Sequence, residues 1–302
     1  MKVLVLNEHE VTELLTLPEC IGAMETALAA LARGEVHNPL RQAIRAPGAP
    51  GLLGLMPAWW NGPTPYYGLK EVCVFPENPK RGLDTHVGTV ILHSGETGEP
   101  LAIMNASAIT AIRTAAVSAV ATKLLAREDA AVLAIIGTGV QAQSHRRAIP
   151  LVRDIREIRM CARGESVEEA VRGADIVVTA TSSREPILKR EWLSPGVHIN
   201  AVGSSIAAAR ELEADLVAAA SLFVDRREST VNESGDYLGA IDSGATIRAE
   251  IGELLAGTAA GRKSREEITL FKSLGLAIED LASAAFLYEK ARRDGRGKWV
   301  EF

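Results

Sequence analysis

The chain has 302 residues, 47% of them hydrophobic and 24% charged, with a formal net charge of −5. That length suits two domains with sizeable cores, and the composition is globular. The acidic balance and the lack of any long Lys/Arg run argue against a nucleic-acid surface. Met1–Leu6 is too short for a signal peptide and is followed by Glu8 and Glu10; no apolar stretch reads as long enough to span a membrane. Cys20, Cys73 and Cys161 have no metal-like spacing and cannot all pair, so no metal is expected and a reducing cytoplasm is.

After a short N-terminal strand, Thr16–Ile21 opens a helix that runs to Arg33 and stops at Gly34. From Asn38 to Leu101, short alternating runs broken by Gly and Pro predict antiparallel β structure. Gly95-Glu-Thr-Gly98, between Thr89–Leu92 and Pro100–Met104, reads as a hairpin turn. A helix of small residues is expected from about Ala108 to Leu125. Ala131–Ile136 is an uncharged apolar run, the pattern of a strand buried on both faces. It leads into Gly137-Thr-Gly-Val-Gln-Ala142, whose glycines permit a tight turn and let backbone N–H groups approach a pyrophosphate. Ala142 lets the next helix, Gln141 to about Ile149, pack closely on the strand. In this setting the motif predicts a dinucleotide site; a plain strand–helix turn is the alternative. Further strands at Glu157–Cys161, Asp175–Ala180, His198–Val202 and Leu222–Asp225 predict an α/β fold with a Rossmann-type doubly wound parallel sheet. A long helix from Ile278 to about Arg293 then returns toward the first domain.

The segment between Cys161 and Asp175 holds only one short helix, Val167–Val171. A full mononucleotide half places a helix, a strand and a second helix there. Either this sheet lacks a strand, or roughly twenty residues are missing near Gly164, judged by the size of a βαβ unit.

Arg113 is the one charged side chain between Ala106 and Thr122. Burying an unpaired guanidinium costs several kcal/mol, so it needs an anion: an internal salt bridge or a substrate carboxylate. Lys70 lies in the strand-like Tyr66–Phe75 and shares a face with Gly68, Val72 and Val74. That setting favours a functional lysine over a solubilising edge lysine. His86 could donate a proton or be structural. Arg163, just after the second strand of the parallel sheet, stands where an acidic residue would select NAD; an arginine there suits a 2′-phosphate and NADP(H).

Lys70 in its strand, Ile109–Ala119, Gly137–Ala142, Ile199–Gly203, Arg210–Leu212, Glu233–Asp236 and Phe271–Gly275 together resemble the ornithine cyclodeaminase/mu-crystallin family, in order and over nearly the whole chain. The mu-crystallin-like ketimine reductase branch is the most similar. The resemblance implies a homodimer built from an α+β substrate and dimerisation domain, 1–125 with 278–302, and an NAD(P)-binding domain, 126–277. It implies that Arg41, Lys70 and Arg113 bind the substrate carboxylate, with Lys70 catalytic. Around the cofactor it implies Thr114, Gly137, Thr138, Gly139, Val140, Gln141, Arg163, Thr179, Thr181, Val202, Ser273, Leu274 and Gly275. Two departures stand out: Ser205 occupies the place of the cyclodeaminases' catalytic aspartate, and Ile206–Ala209 replaces a stretch that usually carries charge.

The leading expectation is an NAD(P)H-dependent reductase, NADP(H) preferred and NAD(H) accepted, that converts an imine with an α-carboxylate to an L-amino acid. Pyrroline- or piperideine-2-carboxylate would be such a substrate. Alternatives are ornithine cyclodeaminase, which Ser205 disfavours, alanine dehydrogenase, and a non-catalytic ligand-binding protein. Small α-imino or α-amino acids are the expected partners, with no nucleic acid and no membrane.

Overall fold

In the computed structural model, which describes residues 1–302 apart from the Pro79 side chain, the chain forms two units. One comprises Met1–Arg113 with Leu276–Phe302, the other Thr114–Gly275. The divisions expected at 125/126 and 277/278 thus fall at 113/114 and 275/276, the first inside a helix.

The chain opens with strand β1 (Lys2–Leu6) and helix α1 (Glu8–Leu14). A reciprocal cap starts α1: the Asn7 side chain accepts the Glu10 N–H, and the Glu10 carboxylate accepts the Asn7 N–H. Helix α2 (Leu17–Ala32) begins with Glu19 accepting from the Thr16 N–H and hydroxyl, and ends before Gly34, as expected. Strands β2 (Val36–His37), β3 (Gln42–Ile44), β4 (Leu52–Trp60), β5 (Tyr66–Val74), β6 (His86–Ser94) and β7 (Pro100–Asn105) follow. They pair antiparallel as the 38–101 pattern predicts, with Gly95–Gly98 joining β6 to β7. Helix α3 (Ala106–Leu125) carries the division between the units. By length and composition it is apolar enough to cross a membrane, contrary to the sequence reading; most of it is buried within the protein.

The second unit contains strand β8 (Val132–Ile136), α4 (Val140–Ala148), β9 (Glu157–Cys161), α5 (Val167–Val171), β10 (Ile176–Thr179) and β11 (His198–Ala201). After these come α6 (Ala214–Ala219), β12 (Ser221–Val224), α7 (Arg227–Glu233), α8 (Gly235–Leu238), β13 (Ile247–Glu250), α9 (Ile251–Leu255) and β14 (Thr269–Lys272). The sheet is parallel throughout, in the order β13-β12-β14-β11-β10-β8-β9. Its central strands are buried on both faces, as a sheet covered by helices requires. β9 is an edge, and α5 returns directly from it to β10, so the strand missing from the sequence pattern is missing from the sheet. Neither β13 nor the central β14 was read as a strand from the sequence.

The chain then returns to the first unit as α10 (Ala277–Asp294) and β15 (Lys298–Glu301). The Asn38 carboxamide oxygen accepts the Ile278 N–H at 2.8 Å and so caps α10 from 240 residues away. The sheet here runs β15-β1-β7-β6-β5-β4-β2, with β3 also on β4. α10 packs on β4, β5 and β6, against the face that carries Gly68 and Lys70. Gly68 lets the helix pack closely there: a Cβ would lie 2.8 Å from the Leu281 side chain, which would have to shift.

Candidate active site

In the first unit, two cations and two carboxylates share one buried cluster. Lys70, on the central strand β5, points its ammonium at Asp280 Oδ2 at 2.7 Å, with 4% and 1% of the two side chains exposed. Arg113 donates from Nη1 to Glu279 Oε2 at 2.6 Å and from Nε to Asp280 Oδ1 at 3.1 Å. Glu279 and Asp280 lie in the first turn of α10, where the helix dipole favours negative charge. The edge-lysine alternative for Lys70 falls, because β5 lies between β4 and β6. For Arg113 the internal salt bridge is realised, so any substrate carboxylate must share the guanidinium with two internal acids.

Burial pushes the Lys70 ammonium down to about 8, against the pull of Asp280. Lys70 therefore holds a proton that it can release near neutral pH. The register extends this face. Gln42 pairs with Leu55, so Arg41, one residue earlier, stands at the level of Met56, which pairs with Lys70. Arg41 is only partly buried. His86 pairs with Val74, four residues along β5 from Lys70 and on the same face; desolvation and then the Lys70 charge lower its pKa.

The second unit carries the glycine turn. Gly137 has φ +119°, and a Cβ there would lie 2.4 Å from the Ala180 carbonyl oxygen, so only glycine fits. Gly139 caps α4 without a side-chain hydrogen bond, and among the described residues nothing lies within 4 Å of where its Cβ would be. Thr138, Gly139 and Val140 are exposed, Gln141 partly so, and Ala142 is fully buried as packing on the strand demands. An uncapped helix N-terminus with open space before it fits a dinucleotide pyrophosphate. Arg163 lies exposed in the turn after β9, where the Glu165 carboxylate accepts the Ala162 N–H at 2.7 Å.

The ends of β10, β11 and β14 are braced by buried carboxylates. Glu211 accepts from the Thr181 N–H and hydroxyl on Oε1, and from the Thr179 hydroxyl and Gly203 N–H on Oε2, all at 2.8 Å. Thr179 is fully buried, so it braces the site from behind instead of lining it, as the resemblance had implied. Thr181 is partly exposed, whereas Thr114 and Val202 are buried at 6% and 9% exposure. Asp225 Oδ2 accepts the Leu274 and Gly275 N–H groups, and the Ser273 N–H bonds to the Ala201 carbonyl, which fixes the 273–275 loop. Ser205 is partly buried, and Ile206 is 55% exposed beside Ala207 and Ala208.

Sequence reasoning missed Glu279, Asp280, Glu211 and Asp225. The one available signal was acids embedded in apolar or small-residue surroundings, as in Ala277-Ile-Glu-Asp-Leu281.

The profile of the ornithine cyclodeaminase/mu-crystallin family matches residues 1–166 and 161–295. A Delta(1)-pyrroline-2-carboxylate reductase of Bacillus cereus is 38% identical over 326 residues, spanning 99% of this chain and all of that protein. The alignment exceeds the 302 residues of this chain by 24 positions, so at least that many of its positions are gaps in this chain. The family match itself falls in two segments that meet at 161–166, between β9 and α5. The structure of the Thermococcus litoralis Delta(1)-pyrroline-2-carboxylate reductase, in complex with NADH and L-proline, superposes with a TM-score of 0.92 at 37% identity, covering 98% of this chain and 99% of that one. An archaeal alanine dehydrogenase dimer with bound NAD gives 0.93 at 36% identity, covering both chains fully. The chain belongs to the ornithine cyclodeaminase/mu-crystallin family.

Proposed function

We propose that this chain is an NAD(P)H-dependent reductase of imines bearing an α-carboxylate, with cyclic ketimines such as pyrroline- or piperideine-2-carboxylate as substrates and the cyclic L-amino acid as product. The observation that carries this reading is the buried Lys70–Asp280–Arg113–Glu279 cluster in a chain that also holds a dinucleotide turn. Arg41, Lys70 and Arg113 lie at one level of this sheet face. A planar guanidinium fork can hold a substrate carboxylate there in a fixed orientation. The Gly137–Gln141 turn and the α4 N-terminus would hold the cofactor phosphates, and bound NAD(P)H supplies the hydride. Lys70 Nζ holds the proton that the imine nitrogen takes up, and Asp280 keeps that ammonium in place.

Arg163 supports a preference for NADPH, although the solved relatives carry NADH or NAD. The Glu165 carboxylate is bound to the Ala162 N–H, which leaves the exposed guanidinium as the charged group available to a 2′-phosphate. The sheet face turned away from α10 supports a homodimer. Its outward residues, Leu53, Leu55, Trp59, Tyr67, Leu69 and Ile91, form an apolar surface that is only partly buried in the single chain. Light scattering should then give twice the 32.2 kDa chain mass. Three unpaired cysteines, one of them exposed, support a reducing cytoplasmic setting.

A second reading, alanine dehydrogenase, draws on the structural likeness to that dimer. Initial rates separate the two: NADPH oxidation with pyrroline-2-carboxylate and with piperideine-2-carboxylate, against NAD reduction with L-alanine. Turnover of L-alanine alone would overturn the ketimine reading.

A further inference from the structure

Glu211 is fully buried and, among the described residues, in no ion pair, yet it takes four hydrogen bonds. Its own N–H and that of Leu212 bond to Asp236 Oδ1 at 2.7 and 3.0 Å, and Asp236 Oδ2 pairs with Lys272 at 2.9 Å. The Lys272 charge that acts on Glu211 is thus itself paired with a second carboxylate, and all three charged groups are at most 2% exposed. Desolvation raises the Glu211 carboxyl, with Lys272 and the donors pulling the other way. Such a group is expensive to bury and is not needed to cap any helix.

Its effect on neighbours is specific. The hydroxyl proton of Thr181 is committed to Glu211, so Thr181 Oγ1 has only lone pairs to offer. One accepts the Ser183 N–H at 3.1 Å, which leaves one for a ligand. Gly203 approaches so closely that a Cβ would lie 2.2 Å from the Thr181 carbonyl oxygen and 2.4 Å from Glu211 Oε1. Glu211 thus ties the β10 end to the β11 end and sets the direction of the Thr181 hydroxyl, which is partly exposed.

We propose that Glu211 is the positioning residue of the cofactor rim, acting through Thr181, which it fixes as a hydrogen-bond acceptor for a donor group of the dinucleotide. The inference rests on the cofactor reading above. Glu211→Gln keeps the size but puts an amide donor where each oxygen takes two donors, two of them rigid backbone N–H groups. Fluorescence titration with NADPH and NADH should show binding weakened at least tenfold, with the far-UV spectrum retained. Thr181→Val should weaken binding similarly, Thr181→Ser should restore it, and Thr181→Val should cost little more in the Glu211→Gln background, since coupled sites are not additive. If Glu211→Gln fails to fold, the Thr181 pair decides alone. Wild-type protein that binds neither nucleotide would refute the cofactor reading itself. Wild-type binding with Glu211→Gln or Thr181→Val within twofold of it would overturn the role of Glu211.

Discussion

Asp280→Asn isolates the charge that keeps Lys70 protonated. The two groups are 2.7 Å apart and almost wholly buried, and the asparagine can still accept from Arg113 Nε through its oxygen. Lys70 sits at about 8, with desolvation pulling it down and Asp280 holding it up. An opposite charge at this range is worth about 1–3 pKa units, so without it Lys70 should fall to about 5–7. At pH 7 the protonated fraction would then drop from about 90% to between about 50% and 1%. The assay is kcat/KM for pyrroline-2-carboxylate from pH 5.5 to 9.5. Wild type should lose activity as pH rises through about 8, because the proton donor is lost, and the variant's alkaline limb should move down by at least one unit. Stability has its own sign. Lys70 binds its proton less tightly folded than unfolded, so it costs stability below about 8, and that cost fades between about 8 and the ordinary 10.5. A folded variant whose alkaline limb stays at the wild-type position would refute Lys70 as the acid held by Asp280.

Gly137→Ala forces a side chain to φ +119° and within 2.4 Å of a carbonyl oxygen; a loss of about 1–3 kcal/mol on chemical unfolding and of NADPH binding by titration is expected. Arg113→Lys keeps the charge but cannot span Glu279, Asp280 and a substrate carboxylate, so KM should rise roughly tenfold or more, at ~1.4 kcal/mol per decade. Arg163→Ala should lower NADPH affinity and leave NADH affinity unchanged; equal losses for both cofactors would remove Arg163 from the 2′-phosphate.

The parts of the fold legible in the sequence were those set by local pattern. The α2 cap, the β6–β7 turn and the Gly137–Ala142 motif each follow from residues within one turn of each other. β14 was not, because its apolar run is short and ends in a charge, Lys272; the structure pairs that lysine with Asp236, far off in the chain. The cations of the site were legible because Lys70 and Arg113 stand alone in apolar segments. Their partners were not: Glu279 and Asp280 lie 166 and 167 residues from Arg113, in a first helical turn where acids are ordinary. The short β9–α5 turn was visible as a gap, and both the sheet order and the two-part family match show it.

The central claim is that the cluster around Lys70 and Arg113 receives a carboxylate on an imine. The most direct test compares NADPH oxidation with pyrroline-2-carboxylate and with pyrroline, the same ring without its carboxylate. The account predicts efficient turnover of the first and, for the second, kcat/KM at least about a hundredfold lower, the loss of one charge-assisted contact of about 3 kcal/mol. Equal turnover of the two rings would contradict it.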